Sequence, residues 1–372
     1  MYNRFKIEAT DGTSRAGLIE TTHGDVETPV FMPVATQGTV KSVSPEDLYS
    51  LGASIILSNT YHLMLRPGIE TIAHLGGLHK FMNWGLPILT DSGGFQTFSL
   101  SKLGKISESG ATFKSHIDGS TQFLSPETSI EYQSILGVDI AMVLDHCVPY
   151  GTSNYDIRAA MDRTHRWAIR SKNAKHSKQQ SLFSIVQGGL NTDLRLESAE
   201  TLISIGFDGY AIGGLSVGEA KEDMYKVVSL MGSILPKEKP RYLMGVGSPE
   251  DLVTSVGYGI DMFDCVLPTR VARNGSLFTK YGRINLNNSM YRKLNGPIDE
   301  SCNCYTCSTY SIAYLNHLFK SRELLVYRLA TIHNLSYVTA LMNNMRTAIR
   351  SGKFECFKDE FFSAYKVTSL KM

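Results

Sequence analysis

Several features are scarce in this chain of 372 residues. No stretch reaches the roughly 18 or more uninterrupted apolar residues that a membrane-spanning helix requires. The opening MYNRFKIEATDG mixes charged and apolar residues where a secretory leader would carry an apolar core. Both absences lead us to expect a cytoplasmic protein. Neither GxGxxG nor GxxxxGK[ST] occurs, so a nucleotide cofactor held on a glycine-rich loop has little support. A net charge of only +2 offers no obvious counter-field for a nucleic acid. There is no low-complexity tract, and no repeat beyond an alternation of short strands and helices.

What is present is ordinary in amount and uneven in placement. Apolar residues at 42% and charged residues at 19% suit a globular enzyme. The length fits one large α/β barrel with an insertion about as well as two domains. Residues 265–372 hold 15 Lys and Arg against 6 Asp and Glu, whereas residues 1–264 hold 22 against 29. The C-terminal third is therefore +9 and the rest −7. Such asymmetry predicts a basic face able to neutralise phosphates, or else a solvated helical surface.

Eight β-rich runs end in a polar residue or glycine: VFMPVAT, ASIILSN, LPILTD, VDIAMVLD, LFSIVQGG, FDGYAIGG, YLMGVG and GIDMFD. Between most of them lie amphipathic segments that begin near Ser, Asn, Asp or Pro, such as SPEDLYSLG and LRLESAETLISIG. Eight βα units predict a closed (β/α)8 TIM barrel with its chemistry at the strand carboxyl ends, an open doubly wound sheet being the alternative. Asp11-Gly12 and His23-Gly24 mark an antiparallel N-terminal cap on the barrel floor, and Asp118-Gly119 marks a hairpin in the long loop after the third strand. Helical spacing of apolar residues begins at Leu335, with Gly352 as a stop. We expect residues 1–273 to form the barrel with its cap, 274–334 a zinc-binding subdomain, and 335–372 a helical segment completing the barrel.

Placed around one rim, the strand ends bring together Asp91, Asp145, Gln187, the Gly213-Gly214 backbone, Met244 and Asp264. Any one acid there serves equally well as a helix cap or loop tie. Together they suggest more. Asp and Gln side chains can read the donor and acceptor edge of a purine, and a glycine backbone can approach it closely. Two further carboxylates flanking a sugar–base bond would suit double displacement, one attacking the anomeric carbon and the other handling the leaving group's proton. Phe95 and Met244 could sandwich a planar base, or could be simple core. Ser92-Gly93-Gly94 also reads as a phosphate-binding turn.

Three of the six cysteines form C-x-C-x2-C at Cys302, Cys304 and Cys307. That spacing is poor for disulfides and good for a metal. A closed structural zinc site needs a fourth ligand, and His317 and His333 are the candidates, His333 standing where one helical pattern ends and another begins. A catalytic three-cysteine site or an iron–sulfur cluster would be the competing readings.

At this point the motifs SNTYHLMLRPG, LTDSGGFQ, MVLDHCVP, IVQGG, IGGLSVGE, YLMGVG, DMFDCVLPTR, ARNG and C-x-C-x2-C-x25-H, spread over nearly the whole chain, resemble the tRNA-guanine transglycosylases, also called queuine tRNA-ribosyltransferases, of bacterial type. The resemblance selects His333 as the fourth ligand of a structural zinc ion. It implies that Asp264 is the nucleophile that displaces guanine from the wobble position of GUN anticodons and holds the tRNA as a ribosyl ester, with Asp91 as general acid/base. It implies base recognition by Asp145, Gln187, Gly214 and the Leu215 carbonyl, and stacking by Phe95 and Met244. Arg270 and Arg273 correspond to the segment that reads the uridines flanking the target. A homodimer is implied as well. Val217 resembles the bacterial pocket for 7-aminomethyl-7-deazaguanine, but His146 stands where bacterial members carry an acid, so queuine is the alternative incoming base. Two other classes remain open: a non-catalytic tRNA-binding partner subunit, and a zinc-dependent hydrolase.

Overall fold

In a computed structural model, residues 5–99 and 104–366 are described; the first four residues of the cap region, part of the loop from residue 100 and the last six residues fall outside it. All eight expected strands form: Val30–Met32 resuming as Val34–Ala35, Ile56–Asn59, Ile88–Asp91, Ile140–Met142, Ser181–Val186, Gly209–Ile212, Arg241–Leu243 and Met262–Asp264. The break in the first strand falls at Pro33, which has no N–H to give to a ladder. Each strand pairs in parallel with the next. The eighth pairs with the first through Met262↔Val30 and Asp264↔Met32, and the first with the second through Val34↔Leu57, so the ladder closes. A closed parallel ladder buries both strand faces, which is why runs such as Ser181–Val186 are buried at every position and read as continuous apolar segments.

Helices wrap the outside, and their starts follow the sequence signals. Ser44, Ser153, Asn191 and Ser248 each accept a backbone N–H at the first turn of Pro45–Ser50, Asn154–Ala174, Thr192–Ile205 and Pro249–Gly257. The antiparallel cap comprises Phe5–Asp11, Ser14–Thr21 and Gly24–Thr28. It is tied to the barrel floor by buried acids that precede strands. Asp139 accepts from Thr22 Oγ1 at 2.7 Å, from His23 Nδ1 at 2.8 Å and from Ile88 N at 2.9 Å. Asp261 accepts from Arg15 Nε at 2.8 Å. The hairpin Ala111–Lys114 with Thr121–Leu124 turns at Asp118-Gly119 as expected.

Past the eighth strand, the hairpin Ser276–Thr279/Gly282–Asn285 and the helices Tyr305–Thr309 and Ile312–Lys320 enclose a small core of their own that includes Leu277, Leu286, Leu315 and Leu329. This module leans on a helix that runs from Leu324 to Arg350, 27 residues in length. His333 lies inside that helix, and the division expected at 334/335 crosses it, so one rod serves both the module and the barrel. The sequence pattern starts only at Leu335 for a physical reason. Ala330 to Leu335 are all buried, and a helix buried all round has no polar face to give it a period. Among the described residues, no helix is long and apolar enough to cross a membrane.

Candidate active site

The rim of the barrel is built from the last residues of its strands. Asn59 and Asp91 end neighbouring strands and are registered partners. The Asn59 side-chain oxygen caps the helix Thr60–Leu65 by accepting from His62 N at 3.2 Å, which turns its amide nitrogen toward Asp91 Oδ2 at 3.3 Å. The other Asp91 oxygen is buried without a hydrogen-bond partner. Burial, and then the nearby charges of Asp264 and Asp145, hold the Asp91 carboxyl well above the usual carboxylate range.

Asp264 ends the eighth strand and is treated differently by its surroundings. Burial raises it too, but Gly245 N donates to Oδ1 at 2.9 Å and Tyr242 Oη donates to the same oxygen at 2.6 Å, and both pull it back toward the anion. Two acids share one mouth, burial raises both, and the surroundings favour the anion more at Asp264, which has two donors, than at Asp91, which has one.

Opposite them, Gln187 follows the fifth strand directly and donates through Nε2 to Asp145 Oδ2 at 2.8 Å. Burial pushes Asp145 up to about 6. Glycines let these groups close together. A Cβ on Gly94 would lie 2.5 Å from Asp145 Oδ1, and one on Gly214 would lie 2.6 Å from Gln187 Oε1. Gly94, the last residue of the Ser92-Gly93-Gly94 turn, therefore packs on the Asp145 carboxyl. Behind Gln187, the fully buried Arg195 donates to Val186 O and Gly189 O at 2.8 Å each, and Ser198 Oγ accepts from Gln187 N at 3.2 Å. A cavity of about 340 Å³ opens beside this edge, lined by Gln187, Gly214, Val217, Glu219, Tyr150 and Ile157 among others.

The remaining expected residues divide into those near and those apart. Leu215 is buried, while Val217 N donates to Glu219 Oε2 at 2.9 Å in the same turn. Met244 is half-buried against the core, and Phe95, 44% exposed, stands on the short helix Gly94–Ser99. His146 is adjacent to Asp145 in sequence, yet its ring turns to the helix behind, with Nδ1 3.1 Å from an Arg163 guanidinium nitrogen. Burial and Arg163 hold it down at about 4, so it is neutral. Arg270 is exposed at the end of the helix Leu267–Arg273, whereas Arg273 is half-buried and donates to Thr269 O at 2.9 Å.

The cysteine motif and His333 do converge, all ligand atoms lying within 4.8 Å of one another. His333 Nδ1 is 3.7, 3.6 and 3.3 Å from the sulfurs of Cys302, Cys304 and Cys307. A tetrahedral zinc ion with ordinary bond lengths would place sulfur and nitrogen about 3.6 Å apart. His333 Nε2 donates to Phe278 O at 2.7 Å, which leaves the Nδ1 lone pair for a metal. His317 lies on the exposed face of its helix. The chemistry and spacing of the four side chains fit zinc in a closed structural site.

Tyr242, Asn59, Arg195 and the Gly245 N–H were not singled out in the sequence reading. Asn59 is the polar end of ASIILSN, and Tyr242 stands two residues before Met244 in YLMGVG, residues two apart on a strand sharing a face.

Fold and site together define a (β/α)8 barrel enzyme with an acid-rich mouth and a separate Cys3His cluster fit to hold a metal ion. Residues 11–367 match the family model Queuine tRNA-ribosyltransferase. The chain is 56% identical to a queuine tRNA-ribosyltransferase of Dehalococcoides mccartyi, covering 99% of this chain and 95% of that one. It is 56% identical to one of Thermoanaerobacter pseudethanolicus over 95% and 94%, and 53% identical to one of Solidesulfovibrio magneticus over 97% of both. The protein belongs to the queuine tRNA-ribosyltransferase family.

Proposed function

We propose that this protein exchanges guanine at the wobble position of GUN-anticodon tRNAs for a free 7-deazaguanine base, by double displacement through an Asp264–ribosyl ester. Family membership supports guanine exchange in tRNA. The unequal environments of Asp264 and Asp91 are the observation that carries the rest. In the first displacement an Asp264 oxygen bonds to C1′ as the C1′–N9 bond breaks, and the departing guanine takes its electron pair and the Asp91 proton. In the second, Asp91 accepts a proton from the incoming base, whose nitrogen attacks C1′ and returns the carboxylate to Asp264. Two inversions give net retention, and the ester keeps the anomeric carbon activated without external energy. Water must be kept from the ester, or tRNA would be released abasic.

Asp145, Gln187 and Gly214 would read the base edge, with the Leu215 carbonyl toward the 7-substituent and Phe95 and Met244 on the two faces. A single-stranded anticodon loop suits such a pocket, since its bases splay out at modest cost. Arg270 and Arg273 would contact the loop beside the target. Zinc would hold the C-terminal module in shape. With four protein ligands the centre has no open position for substrate, which disfavours a zinc hydrolase. Both acids are retained, which disfavours a non-catalytic partner subunit. A homodimer completes the proposal.

The incoming base is taken as 7-aminomethyl-7-deazaguanine. Val217 lines the cavity and His146 faces away from it, so the feature that favoured queuine lies outside the lining. The test uses a GUN-anticodon tRNA, labelled guanine and denaturing gels. Asp264→Asn should bind zinc and tRNA, form no adduct and lose exchange by about 10³-fold or more. A persistent adduct in that variant would reassign the nucleophile. Competition between the two free bases in the same assay separates the substrates, and turnover of queuine alone would overturn the preference.

A further inference from the structure

We propose that Tyr242, with the Gly245 N–H, is a positioning device that selects which Asp264 oxygen reacts and keeps the resulting ester easy to break. The inference rests on Asp264 as the nucleophile and concerns how that carboxylate is released.

Tyr242 lies in the seventh strand and is fully buried. Its strand pairs Tyr242 with Met262 and Leu243 with Phe263, so the phenol sits one layer below the rim and reaches up to Asp264. Gly245 adopts φ +74°, a left-handed conformation suited to glycine, and its N–H meets the same oxygen. Both donors thus converge on Oδ1, which assigns Oδ2 to the attack. Burial, and then the Asp264 charge, push the Tyr242 phenol well above its usual range, so it stays a donor.

The consequence differs between the two displacements. When the Oδ2–C1′ bond forms, Oδ1 becomes the ester carbonyl oxygen and keeps both donors. Those donors had stabilised the free carboxylate, so they make it a weaker nucleophile. When the incoming base attacks and the Oδ2–C1′ bond breaks, its electron pair returns to the carboxylate and spreads onto Oδ1. The donors are already in place for that charge, as in an oxyanion hole. The cradle therefore trades some speed in forming the adduct for speed in resolving it, and prevents the covalent tRNA from becoming a trap.

Tyr242→Phe removes the hydroxyl and keeps the ring. The adduct is formed on GUN-anticodon tRNA, then chased with excess free guanine, and both rates are read on denaturing gels. We expect formation within a few-fold of the parent rate and resolution slowed by about 10- to 100-fold. Adduct should then accumulate at steady state, with kcat and the tRNA KM falling together. Equal slowing of both steps, or no change in either, would overturn the proposal. Site-specific 3-fluorotyrosine at position 242, a stronger donor of nearly the same shape, keeps the idea testable if the Phe variant does not fold. It should accelerate resolution relative to formation, and an unchanged ratio would count against the cradle. Asp264→Asn is run alongside: an adduct there refutes the nucleophile itself, whereas an indifferent Tyr242 variant refutes only the cradle.

Discussion

At the residue scale, the site works by giving like groups unlike surroundings. Three aspartates line one mouth, and each is tuned by a different neighbour: Asn59 beside Asp91, Gln187 beside Asp145, and Tyr242 with Gly245 on Asp264. Asp145 carries a direct pH consequence. Its carboxyl is raised to about 6 by burial, so below that pH it is protonated and would lose the acceptor proposed for the donor edge of guanine. The guanine KM should be flat above about pH 7 and rise about tenfold per unit below 6, as a single ionisation requires. Steady-state KM values between pH 5 and 8 test this, and a flat profile would remove Asp145 from base reading. The three acids were legible in the sequence because strand ends are where a barrel places its chemistry. Their tuning was not. Tyr242 and Arg195 read as strand and helix residues until tertiary packing brings one under Asp264 and the other behind Gln187.

At the element scale, the helix Leu324–Arg350 connects the Cys3His cluster to the barrel. It carries His333 to the sulfurs at its middle, and at its end Arg350 donates to Glu8 Oε2 at 2.8 Å and Glu27 Oε1 at 2.6 Å on the cap sheet. The module it supports has a small core, and structural zinc in small domains contributes about 10–16 kcal/mol of apparent binding free energy. Removing the metal with a chelator, or replacing Cys304 with Ser, should therefore loosen residues 276–320 before the barrel. Hydrogen exchange should rise first in the Ser276–Thr279 hairpin, and tRNA binding should fall with it, while the barrel strands stay protected. Uniform deprotection would mean that the module and the barrel unfold as one unit. Strands and capped helices were readable here because burial on both faces and Ser or Asn caps leave local signatures. The start of this helix was not: its first turn exposes Leu324 and Leu325, and the run Ala330–Leu335 is buried all round, so neither stretch presents the regular apolar stripe that sets a period.

At the scale of the whole molecule, the basic C-terminal third begins where the eighth strand ends. Arg270 stands within the short helix that follows Asp264 and is exposed. A tRNA held over the mouth would meet this basic part of the chain while its target base enters the barrel. Arg270→Ala should weaken tRNA binding and make the slope of log K against log salt shallower by about 0.7–1, the loss of one phosphate contact. Binding titrations across a salt series test this, and an unchanged slope would place Arg270 off the phosphate backbone.

The sequence alone determined the eight-stranded parallel barrel, the close grouping of three cysteines at metal-ligand spacing and the set of acids at the mouth. Period, caps and short ligand spacings are local properties, and the chain expresses them before it folds. Tertiary structure alone decided that Asp91 is raised further than Asp264, that His146 turns toward Arg163, and that a tyrosine lies beneath Asp264. Those outcomes depend on desolvation and on donors supplied from neighbouring strands, and no window of sequence contains both partners.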